Sequence, residues 1–223
     1  MRTTRTVTLL AGLVLIAGCR QVSGEPHSTT ELSDALLTVS DLGTEWQESQ
    51  RDIFDERANE NPVIDASTFC PEVVESVGVL DDLAGQAGAD VEMRAKSTTR
   101  MMRLQAWDND DSDRFFSKIS DIVRTCDGTK WSDDAVGTST SFDLIDGPSV
   151  GDESIHWIVT SSPPSDNPVG KFGGAGRTTV ARFGNVTMVL QVGDFALDPT
   201  SVLMPEDDWR GLVLKAAAKI DEL

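Results

Sequence analysis

In this 223-residue chain the two histidines, the three cysteines and an aspartate-rich run are the groups to which acid–base, nucleophilic or metal chemistry would first be assigned. His27 stands in a polar stretch, residues 20–30, where nothing would hold it against a substrate. His156 alternates with Ile155 and Trp157, shares a strand face with Ser154 and Thr160, and is expected at the surface. A Ser-His-Asp site would need His156 as its base, and no Gly-x-Ser-x-Gly elbow accompanies it. A closed zinc site draws on Cys and His together, which the remaining residues do not offer. Asp108-Asn109-Asp110-Asp111-Ser112-Asp113 has the oxygen density that calcium prefers, but it lacks the loop glycine, and Ile119 stands where a bidentate Glu would close the loop. That run is read as the capped start of a helix. Gly173-Gly174-Ala175-Gly176 is followed by no lysine and lies in no βαβ unit, so it is expected to be a flexible loop rather than a phosphate cradle. No catalytic residue, metal ligand or cofactor is assigned, and the chain is not read as an enzyme.

Cys19 carries a different chemistry. Arg2 and Arg5 precede an apolar run at residues 7–17, too short to span a bilayer, which needs about 20 apolar residues. A basic start, a short apolar middle and a small-residue junction make an export signal. The junction Leu15-Ile16-Ala17-Gly18-Cys19 resembles the lipobox of bacterial lipoproteins. The resemblance implies acylation of the Cys19 thiol and cleavage just before it. Residues 1–18 would then be a signal peptide, 19–30 a lipidated tether, and 31–223 the folded domain. Two acyl chains hold stably where one binds reversibly, so the expected place is the extracytoplasmic face of the cell membrane. Losing Arg2 and Arg5 from 19 Lys+Arg against 37 Asp+Glu moves the formal charge from −18 to about −20. Such a surface repels phosphate backbones and anionic headgroups. Nucleic acid is excluded as a partner, and membrane contact is left to the lipid.

The length beyond the tether suits one domain. Helical periodicity is expected over residues 70–84, 113–126 and 205–223, with a weaker helix at 31–37. The period drops to two at 154–160 and 186–192, and Gly184-Asn185 joins two apolar runs into a hairpin over 178–192. Strands near 99–107 and 139–145 would extend the sheet. The expected class is α+β, a single antiparallel sheet covered on one face by helices. Cys70 and Cys126 fall on inward helix faces and are the cysteines left once Cys19 is acylated. In an oxidising compartment one bridge is expected, worth about 4 kcal/mol by loop entropy; two buried free thiols are the rival arrangement. The patternless stretch 161–176 is expected to be a lid or contact loop, with Asp166, Asn167, Lys171 and Phe172 as its candidate binding residues.

Asp34-Ala35-Leu36-Leu37, Asp41-Leu42-Gly43 and Trp46 resemble the opening of small actinobacterial lipoproteins and of the PknH-type extracellular sensor domain of actinobacterial serine/threonine kinases. The resemblance continues through Cys70, Trp107, the Phe115/Phe116 helix ending at Cys126, Gly151-Asp152-Glu153, and Arg182 with Gly184-Asn185-Val186. It implies an antiparallel sheet flanked by helices around a cleft for an unknown ligand. The kinase sensors carry two disulfides, whereas this chain has cysteines for one. Two functions are therefore expected in competition: a sensor-like lipoprotein binding a small ligand or an envelope protein, and an envelope-assembly or structural accessory without a ligand.

Cys19→Ala should release the protein into the medium or leave its signal uncut. Detergent-phase partitioning of a processed Cys19→Ala protein would contradict the lipid anchor.

Overall fold

A computed structural model describes residues 27–55, 70–73, 87–95, 98–107, 111–133, 138–162, 173–196 and 204–223. Cys19, its signal peptide and the loop residues Asp166, Asn167, Lys171 and Phe172 lie outside them. So do Asp108, Asn109 and Asp110, and most of the helix expected over 70–84, of which a 3₁₀ turn at Pro71–Val73 is described.

Alternating burial along the chain produces eight strands: β1 (Gln47–Asp55), β2 (Ala87–Ala95), β3 (Thr98–Ala106), β4 (Thr129–Asp133), β5 (Thr138–Leu144), β6 (Glu153–Ser162), β7 (Gly173–Phe183) and β8 (Val186–Ala196). They form one antiparallel sheet in the order β1-β2-β3-β8-β7-β6-β5-β4. Consecutive strands pair as hairpins except where β3 meets β8, a join between segments far apart in the chain. The described helices are α1 (Thr29–Asp34), α2 (Val39–Leu42), α3 (Asp111–Cys126) and α4 (Glu206–Ile220). Helix α1 starts at a Ser28/Glu31 capping box. Helix α3 carries Asp111 and Asp113 in its positive first turn and Arg124 in its last, both favourable to the helix dipole.

The expectation that helices cover one face is corrected. Along β8, Val186, Met188, Leu190 and Val192 join one core with Leu32, Leu36, Trp209, Leu212, Val213 and Ile220, whereas Val189 joins another with Phe115, Ile119, Trp107 and Trp157. Alternate residues of a strand point to opposite faces. The helices α1 and α4 therefore pack on a first face and α3 on the second. Both faces of β8 carry apolar residues, which is why its run 186–192 reads as nearly continuous rather than cleanly alternating.

Two further corrections concern the sheet's extent. Gly173-Gly174-Ala175-Gly176 is strand, not loop, paired with Ala196, Phe195, Asp194 and Gly193 of β8 and, from Gly174 onward, with β6. Small residues give strand pairing no side-chain signature, so backbone hydrogen bonding alone reveals it. Strands β1 and β4 escaped the sequence reading because they carry few apolar residues, whereas β2 alternates Ala89, Val91 and Met93 with Asp90, Glu92 and Arg94, a period-two signal that was overlooked.

The expected bridge is present. Cys70 and Cys126, both fully buried, are joined with Cα atoms 5.4 Å apart, tying the 3₁₀ turn to the end of α3. Thiol labelling of denatured, unreduced mature protein should find no free cysteine, and two titratable thiols per chain would contradict the bridge. Cys126→Ser should cost about 2–5 kcal/mol of stability in chemical denaturation.

Candidate functional site

His156 is not at the surface, which corrects the sequence reading. Its strand face is the first face, and α4 lies across it: the imidazole meets the Trp209 ring edge-on at 5.4 Å and is 6 % exposed. Nδ1 is 3.0 Å from Thr179 Oγ1, its cross-strand partner on β7, and Nε2 is 3.2 Å from the Pro148 carbonyl. A carbonyl can only accept, so Nε2 carries the proton and Nδ1 accepts from the Thr179 hydroxyl. Gly147 packs on the imidazole so closely that a Cβ would collide with it. Arg177 and Arg210 flank Trp209, with guanidinium carbons 5.6 and 5.9 Å from its ring. Arg177 also donates to the Met204 carbonyl and Arg210 to that of Asp146 at 3.0 Å. Burial lowers the His156 pKa below its ordinary value, the Pro148 hydrogen bond opposes this, and the Arg210 charge lowers it further. With both ring nitrogens engaged and no carboxylate among these contacts, this neutral imidazole joins α4 to the sheet and is not poised as a catalytic base.

At the turn end of the sheet a second polar knot forms. Arg182 contacts Glu153 at 3.1 Å, Asp113 at 3.0 Å and Asp152 at 3.4 Å. Asp152 accepts from the Gly184 amide at 2.7 Å, and Ser112 donates to the Gly184 carbonyl at 2.9 Å. Trp107 donates from its indole to Thr187 Oγ1 at 2.8 Å and from its backbone to Asn185. Of the residues that carried the family resemblance, Trp107, Asp152, Glu153, Arg182, Gly184 and Asn185 thus meet around one hairpin turn, binding α3 to the sheet. Satisfied as they are by one another, they form a structural knot.

The second face differs sharply between its two halves. Over β5 to β8 it is apolar and covered by α3. Over β1 to β3 the register instead aligns Phe54, Gly88, Gln105 and Thr187 in one row and Asp52, Asp90, Arg103 and Val189 in the next. Arg103 donates from Nε to Asp90 Oδ2 at 3.1 Å and also grips it through Nη2, both side chains being nearly buried. The Arg103 Nη1 and the Gln105 Oε1 are buried without a hydrogen-bond partner, as is Ser120 Oγ on α3. Each such group costs about 1–3 kcal/mol of desolvation left unrecovered. Native folds keep few of them, so this row is the best candidate for a ligand-facing surface.

Sequence reasoning missed these residues. The available signal was in 98–106, where Arg103 and Gln105 alternate with the apolar Met102 and Leu104, an arrangement that looks like an ordinary solvent face. The loop it favoured, between β6 and β7, attaches at the opposite end of the strands from Gln105, since Gly173 pairs at the Ala196 end of β8 and Gln105 pairs with Thr187. Among the described residues no group of three or more His, Cys, Asp or Glu side chains could hold a metal ion.

Because the folded imidazole resists protonation, the unfolded chain binds more protons as the pH falls below about 6.5. The stability that His156 contributes is fully present above that value and declines as the pH falls through the depressed folded pKa. In chemical denaturation between pH 7.5 and pH 5.5, the wild type should lose more stability than His156→Gln. An equal loss in both proteins would assign the pH dependence to other groups.

No protein-family model matches the chain, and no curated protein does. Among solved structures, the extracellular domain of PknH from Mycobacterium tuberculosis is similar over 89% of this chain and 99% of its own length, with a TM-score of 0.57 and 13% identity. The Rv0999 ortholog from Mycobacterium smegmatis is similar over 85% of this chain and 96% of its own, with a TM-score of 0.50 and 13% identity. At such identity the likeness is one of fold, and the single sheet with its flanking helices is the fold of the PknH extracellular domain, as the residues from Asp34 to Val186 implied.

Proposed function

We propose that this chain is an exported lipoprotein, held to the outer face of the cell membrane through an acylated Cys19, whose sensor-like domain binds a small ligand or an envelope protein. The observation that carries the reading is the extracellular-domain fold, shared over nearly the whole length of its neighbour. Three features support it. The Leu15 to Cys19 junction supplies an anchor, and among the described residues no helix is long and apolar enough to cross a membrane. The buried Cys70–Cys126 bridge suits an oxidising compartment. Arg103 and Gln105 hold unmet hydrogen-bonding capacity in the sheet, as binding surfaces do before they are filled. The acidic chain leaves nucleic acid out of the proposal. Asp166, Asn167, Lys171 and Phe172, in the segment between β6 and β7, are proposed as a separate contact loop.

Native mass spectrometry of the lipidated protein purified from its own envelope should show a retained small molecule or a stoichiometric partner. Protein carrying its acyl chains alone, with no companion at any ionic strength, would favour the accessory role without a ligand.

A further inference from the structure

We propose that the row of the second face around Gln105 is a subsite for a small uncharged molecule presenting a hydrogen-bond donor beside an acceptor, as a sugar hydroxyl pair or a neutral amide does. The proposal rests on the ligand-binding reading above and names its site and chemistry. Gln105 is 8 % exposed and its Oε1 has no partner. Two residues earlier on the same face, Arg103 spends Nε and Nη2 on Asp90 and keeps Nη1 unpaired. One strand therefore offers an acceptor and a donor at positions about 7 Å apart along the backbone.

Charge decides which ligands can answer them. Arg103 and Asp90 cancel one another, so an anion arriving at Nη1 would also meet the Asp90 carboxylate, and a cation arriving at Oε1 would meet the guanidinium. A neutral partner meets neither cost. Shape adds a wall. The Phe54 ring lies against β2 at Gly88, where a Cβ would collide with it, and the Arg103 guanidinium stands 5.3 Å from its centroid. Only glycine leaves room for that ring against β2, in the row that also holds Gln105. An aromatic ring in the same row as a donor and an acceptor is the kind of lining that orients a small neutral ligand. Gln105 Oε1 and Arg103 Nη1 are themselves covered, and Phe54 beside them is half-buried, so a ligand reaches the two atoms by displacing that ring.

The test uses the mature chain labelled with ¹⁵N, its Gln105 side-chain amide and Arg103 Nε–H signals assigned by substitution. Methyl glucoside and N-acetylglycinamide are the neutral probes, acetate and ammonium the charged ones. A saturable shift of both signals with a neutral probe, at least about five-fold larger than with either ion, is expected, and the responding probe distinguishes sugar from amide. Gln105→Met keeps the volume and removes the unmet carbonyl, so it should raise the Tm of the free protein while abolishing the response. Gln105→Glu should abolish it too and lower the Tm. Absence of any shift with both neutral probes, a larger shift with acetate, or a lower Tm in Gln105→Met would overturn the subsite. If native mass spectrometry still finds a bound molecule in that case, the ligand sits elsewhere and the broader reading stands. If it finds none while Gln105 responds, the broader reading fails and the subsite survives.

Discussion

A strand buried on both faces imposes the main constraint on this fold. Strand β8 sends Val186, Met188, Leu190 and Val192 into the core beneath α1 and α4, and Val189 into the core beneath α3. Each of these buried side chains contributes about 1.5–3 kcal/mol relative to exposure. A slip of one residue would exchange the two sets and leave Thr187 and Gln191 facing the larger core, so the register of β3, β8 and β7 is tightly held. Among the described residues, α1 and α4 cover one of those faces and α3 the other.

Covering both faces requires that the helices be fastened, and the fastenings are polar or covalent. Helix α3 is held at one end by the Arg182, Asp152 and Ser112 knot around Gly184, and at the other by Cys126. Helix α4 is held through Trp209 on His156 and through Lys215 and Lys219 on Asp41, at 2.6 and 3.4 Å. Nearly all of these groups are satisfied by one another. Among the described residues, buried polar atoms without a partner include Ser120 Oγ on α3 and Trp209 Nε1 on α4, and two of them, Arg103 Nη1 and Gln105 Oε1, lie two residues apart on one face of β3. Two unmet groups side by side on one strand cost stability that the fold must recover elsewhere.

The proposed sensor-like role is supported by the shared fold and by the unmet polar atoms of β3. A fold by itself assigns no ligand. What distinguishes this chain is the chemistry displayed on β2 and β3, an ion pair that neutralises itself beside an amide left open. The chain as a whole is acidic, with 37 Asp and Glu against 19 Lys and Arg, a balance that disfavours anionic surfaces.

Strong local periodicity made the α3 stripe from Phe115 to Cys126, the α4 stripe from Trp209 to Ile220 and the Gly184-Asn185 hairpin legible from sequence alone, because each is specified by residues a few positions apart. The Cys70–Cys126 pairing was legible because no other cysteine could compete once Cys19 was set aside. The assignment of helices to two faces was not, since it depends on where β3 meets β8, a contact between segments some ninety residues apart in the chain. The burial of His156 was hidden for the same reason: period-two alternation states which residues share a face, and only the docking of α4 decides that this face is closed to water. Gln105 and Arg103 look like solvent-facing polar residues in any local window, and their unmet hydrogen bonds exist only because tertiary packing removes the water that would otherwise have satisfied them.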